Sequence, residues 1–121
     1  MYLSADQILG ADDLRSEDVN VPEWGGVVKV QGMTGAARDR FESSMLAENM
    51  HGVSKDKALD NYRARLAAFC MVDGEGKRLF RSDAEVKRLG EKSAEALSRV
   101  AEVATRLSGL SPDDVEELTG N

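Results

Sequence analysis

The sequence predicts a mainly α-helical (α+β) domain of four to five helices with a short N-terminal β-hairpin. Three observations support this fold class: aromatic residues make up only 5% of the 121 residues, apolar residues alternate from Val19 to Gln31, and helical spacing begins after Gly35. A core with so few aromatic side chains must be built from Leu, Val, Ala and Met. Such a core favours helices, because Ala, Leu and Met are strong helix formers. The length is that of one domain.

Residues 1–18 are predicted to form a polar acidic leader that is partly disordered, in which Ser4 caps a short helix over "SADQIL". Two short strands follow, "VNV" and "VVKV", joined by a turn from Pro22 to Gly26 in which two glycines permit positive φ. An isolated hairpin is only marginally stable, so its apolar face must dock on helices or on another chain. Hairpin and helices together are predicted to form one domain over residues 19–110.

Two amphipathic helices are predicted after the hairpin. The first runs from Ala36 to Asn49 behind a Thr34 cap. Its buried stripe is predicted to be Met33, Ala37, Phe41 and Met45. A break with Gly52 as terminator and Ser54 as cap precedes the second helix, which covers Lys55 to Val72. This second helix has the strongest amphipathic pattern in the chain. Its apolar stripe is predicted to be Leu59, Tyr62, Leu66, Phe69 and Cys70.

A glycine-rich turn at Asp73 to Gly76 follows the second helix and leads into a short extended piece that ends at Phe80. Beyond it, Ser82 and Glu85 have the spacing of a capping box, in which each residue accepts a backbone hydrogen bond at a helix start. A third, short helix is therefore predicted to begin at Asp83.

A further helix, expected to be the most persistent, is predicted over Glu91 to Leu107 and ended by Gly109. Its buried side is predicted to be Ala94, Leu97, Val100, Ala101, Ala104 and Leu107. Ser111 then caps a last helical segment that has Pro112 at the favoured first position and acidic residues in its first turn. Residues 111–121 are accordingly predicted to form a short acidic C-terminal helix or tail.

The charge distribution argues against nucleic acid as a partner. The net charge is −6, and residues 27–110 hold fifteen basic against twelve acidic residues between two acidic ends. A nucleic-acid-binding domain would show a dense basic patch instead. No run of 18 apolar residues could span a bilayer, and the acidic N-terminus is unlike a signal peptide. We therefore expect a cytoplasmic protein without a membrane partner.

Residues with catalytic or metal-binding chemistry are few. A single cysteine, Cys70, excludes an internal disulfide, and a single histidine makes a zinc site implausible. The segment from Asp73 to Gly76 lacks the spaced oxygen ligands of a calcium loop. His51 lies at a helix break without a nearby nucleophile, which favours an exposed loop histidine over a general base. No catalytic, metal-binding or cofactor-binding residue is predicted, and no cofactor is expected. The sequence indicates a protein that acts by binding other proteins.

The hairpin offers two candidate features for binding another protein. Tryptophan is the residue type most enriched at interface hot spots, so Trp24 either inserts into a partner groove or folds back onto the helical core. The edge formed by Val27, Val28 and Val30 either adds to a partner strand or merely covers one side of the helices. The residues alone leave both alternatives open.

Several segments resemble those of one protein family, the small tail assembly chaperones of long-tailed bacteriophages and prophages. The stretch "VPEWGGVVKVQGMTGAARDRFE" is similar to the opening of these chaperones, and "RARLAAFCMVDGEGKRLF" to their helix and following turn. The stretch "LGEKSAEALSRVAEVATRLSGL" resembles their long penultimate helix, and "DVEELTGN" their acidic C-terminus. The resemblance covers about residues 18–121 and departs from the family at Ser108, where asparagine is expected more often.

The resemblance implies a non-enzymatic role in the bacterial host cytoplasm. Such chaperones bind the tape measure protein, keep it soluble, help to recruit tail tube subunits, and are absent from the finished virion. The alternative is a structural neck or tail protein that stays in the virion. The expected partners are the tape measure and tail tube proteins, together with further copies of the chain. The residues expected to contact a partner are Pro22, Glu23, Trp24, Val28, Val30, Met33 and Phe80.

Overall fold

The computed structural model describes the backbone of residues 1–50 and 55–119, and the side chains of residues 1–45 and 62–118. His51, the predicted terminator Gly52, the predicted cap Ser54 and the side chain of Leu59 lie outside the described residues. The described part contains six α-helices, a 3-10 turn over Pro22–Trp24, and a three-stranded antiparallel sheet. The mainly α-helical fold class with an N-terminal hairpin is thus confirmed.

The secondary-structure elements follow one another in an α-β-β-α-α-β-α-α-α order. Their bounds are α1 Ala5–Leu9, β1 Ser16–Val21, β2 Gly26–Gln31, α2 Gly35–Met50, α3 Lys55–Cys70, β3 Met71–Val72, α4 Asp83–Leu89, α5 Ala94–Leu107 and α6 Pro112–Thr119. The predicted starts of α4 and α6 are confirmed, because both are set by local capping residues. The helix α1 is also present, with the predicted Ser4 cap completed by Gln7.

The hairpin is a regular antiparallel ladder that runs from the pair Ser16–Gln31 to the pair Val21–Gly26. The first strand thus begins three residues earlier than the predicted "VNV". Its outward and inward side chains alternate, and Val19 and Val21 are buried. Gly25 closes the turn at φ 80°, a left-handed conformation that glycine adopts without a steric penalty.

A third strand, β3, replaces the last two residues predicted for the second helix. Met71 and Val72 pair with Val30 and Lys29, which leaves β2 at the centre of the sheet. Two of our sequence-based expectations are corrected here. The helix ends at Cys70, because the backbone of the next two residues bonds to β2 instead. The β2 strand is not the edge of the sheet, so strand addition along Val30 is blocked by β3.

The helix α3 lies at the centre of the helical layer. The predicted stripe residues Tyr62, Leu66 and Cys70 are buried, but so is every residue from 64 to 68. The helix packs against α2, α4, α5 and α6, and this explains why it is covered on all sides. Its buried cation, Arg65, forms an ion pair with Asp83 at 3.2 Å.

The most amphipathic helix is α5. The sequence had predicted that this would be the second helix, α3. Its buried side consists of Ala96, Leu97, Val100, Ala101 and Ala104, which face α3 and the sheet. The helix begins at Ala94 rather than at Glu91, because Ser93 is the cap and its Oγ accepts a hydrogen bond from the Ala96 amide at 3.3 Å. Residues 90–93 instead connect α4 to α5, and Ala94 itself is exposed.

The junction between β2 and α2 lies against the C-terminal end of α5. The Gly32 amide donates to the Arg15 carbonyl at 3.0 Å, and the Met33 amide donates to Ser108 Oγ at 3.1 Å. Gly32 is buried, and a Cβ at this position would overlap the carbonyl oxygen of Leu107. The close approach of the two backbones therefore requires glycine here.

Candidate partner-binding surface

An open apolar groove of about 240 Å³ lies between the hairpin turn, the loop after β3 and α4. We call it the Trp24 groove. It is lined by Trp24, Val28, Met71, Leu79, Phe80, Leu89 and Lys92. The lining surface is apolar, and Lys92 is the one charged residue among the described residues that line it. An open cleft with apolar walls is the kind of surface that receives apolar side chains of another molecule.

The 3-10 turn of the hairpin places Trp24 at the groove. Pro22 fixes the backbone at its first position, and the Gly25 amide closes the turn by donating to the Pro22 carbonyl at 3.0 Å. Trp24 is half-buried and packs against the hydrophobic core. Its indole Nε1 is buried and has no hydrogen-bond acceptor among the described residues.

Two bidentate ion pairs hold the hairpin against α5. The Arg99 guanidinium donates to both carboxylate oxygens of Glu23, at 2.7 and 3.1 Å. Arg106 donates to both oxygens of Glu17, at 2.8 and 2.7 Å. The hydrogen bonds from these arginines lower the pKa of the Glu23 and Glu17 carboxyl groups below their ordinary value of 4.5. The pairs fix the position of the Trp24 turn relative to α5.

These ion pairs predict a loss of stability in acid. Because the pKa of Glu17 and Glu23 is lower in the folded chain than in the unfolded chain, their stabilisation is complete above pH 4.5. It is lost as the pH falls through the lowered values. We expect the free energy of unfolding, measured by urea titration, to fall steadily below pH 4.5. The Glu17→Gln/Glu23→Gln double variant should show a weaker pH dependence, and an unchanged slope would contradict the prediction.

The loop after β3 positions Leu79 and Phe80 at the opposite wall of the groove. Asp73 Oδ1 accepts hydrogen bonds from the Glu75 amide at 2.8 Å and the Lys77 amide at 3.0 Å. These two bonds lower the pKa of the Asp73 carboxyl group. The Leu79 amide then donates to the Met71 carbonyl at 3.1 Å. The predicted turn is thus held by its own aspartate, which brings the following apolar residues back beside β3.

The helix α4 forms the third wall and gives the groove a charged margin. Ser82 Oγ accepts from the Glu85 amide at 3.2 Å, and Glu85 Oε1 accepts from the Ser82 amide at the same distance, so the predicted capping box is present. A second depression of about 360 Å³ adjoins the groove and shares Phe80, Leu89 and Lys92 with it. Its other lining residues are Glu85, Arg88 and Glu91.

The structure brings together three of the seven residues expected to contact a partner, namely Trp24, Val28 and Phe80. Pro22 and Glu23 are exposed in the turn next to Trp24. Val30 is completely buried in the core and presents no surface. Met33 is half-buried near α5, away from the groove lining.

Three groove residues were not expected from the sequence, namely Leu79, Leu89 and Lys92. The position of Leu79 at a partner surface could have been predicted, because it precedes Phe80 in the segment that resembles the chaperone family. Leu89 and Lys92 could not have been predicted, since their approach to Trp24 depends on the tertiary fold.

The structure also bears on thiol reactivity, metal binding and membrane spanning. Cys70 is buried, and this burial raises its thiol pKa to about 11, which is the state of an unreactive core cysteine. No group of three or more His, Cys, Asp or Glu side chains in the described part of the chain is arranged to hold a metal ion. Among the helices of the described residues, none has the length and apolar character needed to cross a bilayer.

Comparison with known proteins identifies a solved structure of the same fold. The chain superposes on the structure of the bacteriophage HK97 tail assembly chaperone with a TM-score of 0.59 and 24% sequence identity. The match covers 84% of this chain and 94% of the HK97 chain. No family model and no curated protein matches the sequence. The likeness shows that the two chains share a fold over nearly the full length of the HK97 protein.

Proposed function

We propose that this chain is a tail assembly chaperone of a long-tailed bacteriophage or prophage, acting by binding rather than by catalysis. It binds the tape measure protein in the host cytoplasm, keeps that protein soluble, and helps to recruit tail tube subunits. The shared fold with the HK97 tail assembly chaperone supports this proposal.

The main support for the proposal is that two segments resembling the chaperone family lie at the same groove in the folded chain. "PEWGG" and "DGEGKRLF" lie about fifty residues apart in the sequence. In the folded chain the first supplies Trp24 and the second supplies Leu79 and Phe80 to the same groove. Neither segment matches a sequence pattern that a catalytic mechanism requires. Their convergence on one open apolar surface supports a role for both segments in binding a partner.

The chemistry of the groove suits a partner of the tape measure type. An amphipathic helix buries its apolar side chains in a groove and leaves its polar side chains at the margin. The Trp24 groove provides the apolar floor, and the adjoining residues Glu85, Arg88 and Glu91 provide a margin of both charges. A long chain with many similar helices is bound by such a surface in several registers.

Co-expression with the tape measure protein of the same phage genome tests this function. We expect the tape measure protein to be largely insoluble alone and to become soluble and co-purify when the present chain is produced with it. A matched co-expression with an unrelated acidic helical protein of similar size serves as the control. Equal solubility in the two co-expressions would refute the proposal.

Purified virions separate the chaperone from the alternative, a structural neck or tail protein. The chaperone proposal predicts that mass spectrometry of purified particles finds the major tail proteins but not this chain. Stoichiometric amounts of the chain in the particles would instead establish the structural role.

A further inference from the structure

Three arginine residues come together beside the C-terminal end of α3. Arg78 follows β3 in the chain, and its guanidinium carbon lies 4.0 Å from the centroid of the Phe69 ring. Phe69 in turn contacts Phe41 edge-on, with the ring centroids 5.5 Å apart. Arg40 precedes Phe41 in α2, and Arg81 follows Arg78 by three residues. We call Arg40, Arg78 and Arg81 the arginine patch.

The guanidinium group of Arg78 is held in a fixed orientation. It is stacked on Phe69, and its Nε donates a hydrogen bond to the Ala68 carbonyl at 3.0 Å. Ala68 lies in the last turn of α3, where carbonyl groups have no partner within the helix. Among the described residues, no oxygen atom accepts a hydrogen bond from the two terminal amino groups of Arg78. These groups can form the fork that matches the two oxygens of a carboxylate.

Two acidic side chains act electrostatically on the patch, and both are bonded to backbone amides. Glu85 Oε1 accepts hydrogen bonds from the amides of Arg81 and Ser82, each at 3.2 Å. Asp73 Oδ1 accepts from two amides of its own turn, at 2.8 and 3.0 Å. Within the described part of the chain, neither carboxylate forms an ion pair with a patch arginine. The patch therefore carries an excess of positive charge.

Burial and like charge both act against the positive charge of Arg78. Its side chain is half-buried, and this burial lowers its pKa. The positive charges of Arg40 and Arg81 lower the pKa further, and the opposing effect of the Glu85 carboxylate is the weakest of the four. A bound anion offsets both costs, because opposite charges attract more strongly where water is partly excluded.

We propose that the arginine patch binds carboxylates in an acidic segment of a partner protein. The fork of Arg78 receives one carboxylate through two parallel hydrogen bonds. Arg40 and Arg81 are both exposed, so they are accessible to neighbouring carboxylates of the same segment. The net charge of −6 opposes a long polyanion such as a nucleic acid, whereas an acidic segment carries only a few charges. None of the three arginines lines the Trp24 groove, so this contact goes beyond the proposed function.

Fluorescence anisotropy with a labelled hexaglutamate peptide tests the proposal on the full chain. At low ionic strength, where surface charges are least screened, we expect saturable binding of this peptide and no binding of a hexaglutamine peptide. Arg40→Gln/Arg81→Gln should weaken binding by about tenfold, because two ion pairs are lost. Both side chains are exposed, so the variant should fold like the wild type.

Arg15→Gln/Lys87→Gln is the matched control for the double variant. It makes the same change in net charge at two exposed positions whose charges do not act on Arg78. Its affinity for the hexaglutamate peptide should lie within about twofold of the wild type, since distant surface charges are largely screened.

Arg78→Lys separates recognition by the fork from attraction by charge alone. Lysine keeps the positive charge but cannot donate two parallel hydrogen bonds to one carboxylate. We expect the affinity for the hexaglutamate peptide to fall by about fivefold or more. Thermal unfolding of the variant, followed by circular dichroism, establishes the temperature range in which it is folded, and the affinities are compared within that range.

Three results would overturn the inference. The first is equal binding of the hexaglutamate and hexaglutamine peptides. The second is equal affinity of the Arg40→Gln/Arg81→Gln variant and its matched control. The third is a single-stranded DNA hexanucleotide that binds as tightly as the hexaglutamate peptide, which would point to nucleic acid or to unselective attraction of anions. Peptide binding by a chain that fails to solubilise the tape measure protein would uphold this inference and refute the proposed function.

Discussion

Gly32→Ala should lower the free energy of unfolding by about 3 kcal/mol, which corresponds to a fall in the melting temperature of about 10 °C. The added methyl group would overlap the carbonyl oxygen of Leu107. Backbone cannot rotate away as a flexible side chain would, so α5 must shift relative to the sheet. The shift would strain the hydrogen bond from the Met33 amide to Ser108 Oγ at the same junction. Thermal unfolding followed by circular dichroism measures the effect.

Gly35→Ala is the matched control for this prediction. Gly35 lies three residues further along, and a Cβ there would meet no atom within 4 Å. It is the first residue of α2, where alanine is a better helix former than glycine. The control should therefore leave the melting temperature unchanged or raise it slightly. Equal effects of the two substitutions would show that the close approach at Gly32 does not limit stability.

The proposed function predicts that Leu79→Glu reduces the affinity for the tape measure protein by about thirtyfold, the effect of losing one interface hot spot. Leu79 lines the Trp24 groove and is 46% exposed, so the substitution places a carboxylate in the groove while removing little from the core. We expect the free energy of unfolding to change by less than about 0.5 kcal/mol. A titration of the soluble complex by calorimetry measures the affinity, and urea unfolding measures the stability.

Val27→Glu makes the same chemical change at a similarly exposed apolar residue outside the groove. Val27 is 62% exposed and does not contribute to the lining. It should bind the tape measure protein with the affinity of the wild type. Equal losses in the two variants would point to a general effect of added negative charge. A fully active Leu79→Glu variant would place the tape measure site elsewhere, while a positive co-expression result would still uphold the chaperone function.

Elements whose boundaries are set by neighbouring residues were predictable from the sequence. The starts of α4 and α6 follow from Ser82 with Glu85 and from Pro112, and the hairpin turn follows from Pro22 and its two glycines. The strand β3 was not predictable, because Met71 and Val72 continue the apolar pattern of the helix before them. They become a strand through hydrogen bonds to Lys29 and Val30, some forty residues earlier in the chain.

The candidate site was predictable only in part, for the same physical reason. Trp24 and Phe80 stood out by residue type and by family resemblance. Val30, also expected at the partner surface, points into the core, because side chains alternate between the two faces of the sheet and Val30 lies on the face packed against the helices. Leu89 and Lys92 carry no local sign of their position at the groove. The closure of the groove by α4 depends on how that helix packs on α3, which short-range patterns do not encode.

The ion pairs between the hairpin and α5 have a consequence for synthesis of the chain on the ribosome. Glu17 bonds to Arg106 across 89 positions of the sequence, and Glu23 bonds to Arg99 across 76. The hairpin is translated early, but it cannot dock until α5 has left the ribosome. Contacts of such long range form late in folding. A nascent chain that ends before α5 therefore lacks both ion pairs that hold the Trp24 turn in place.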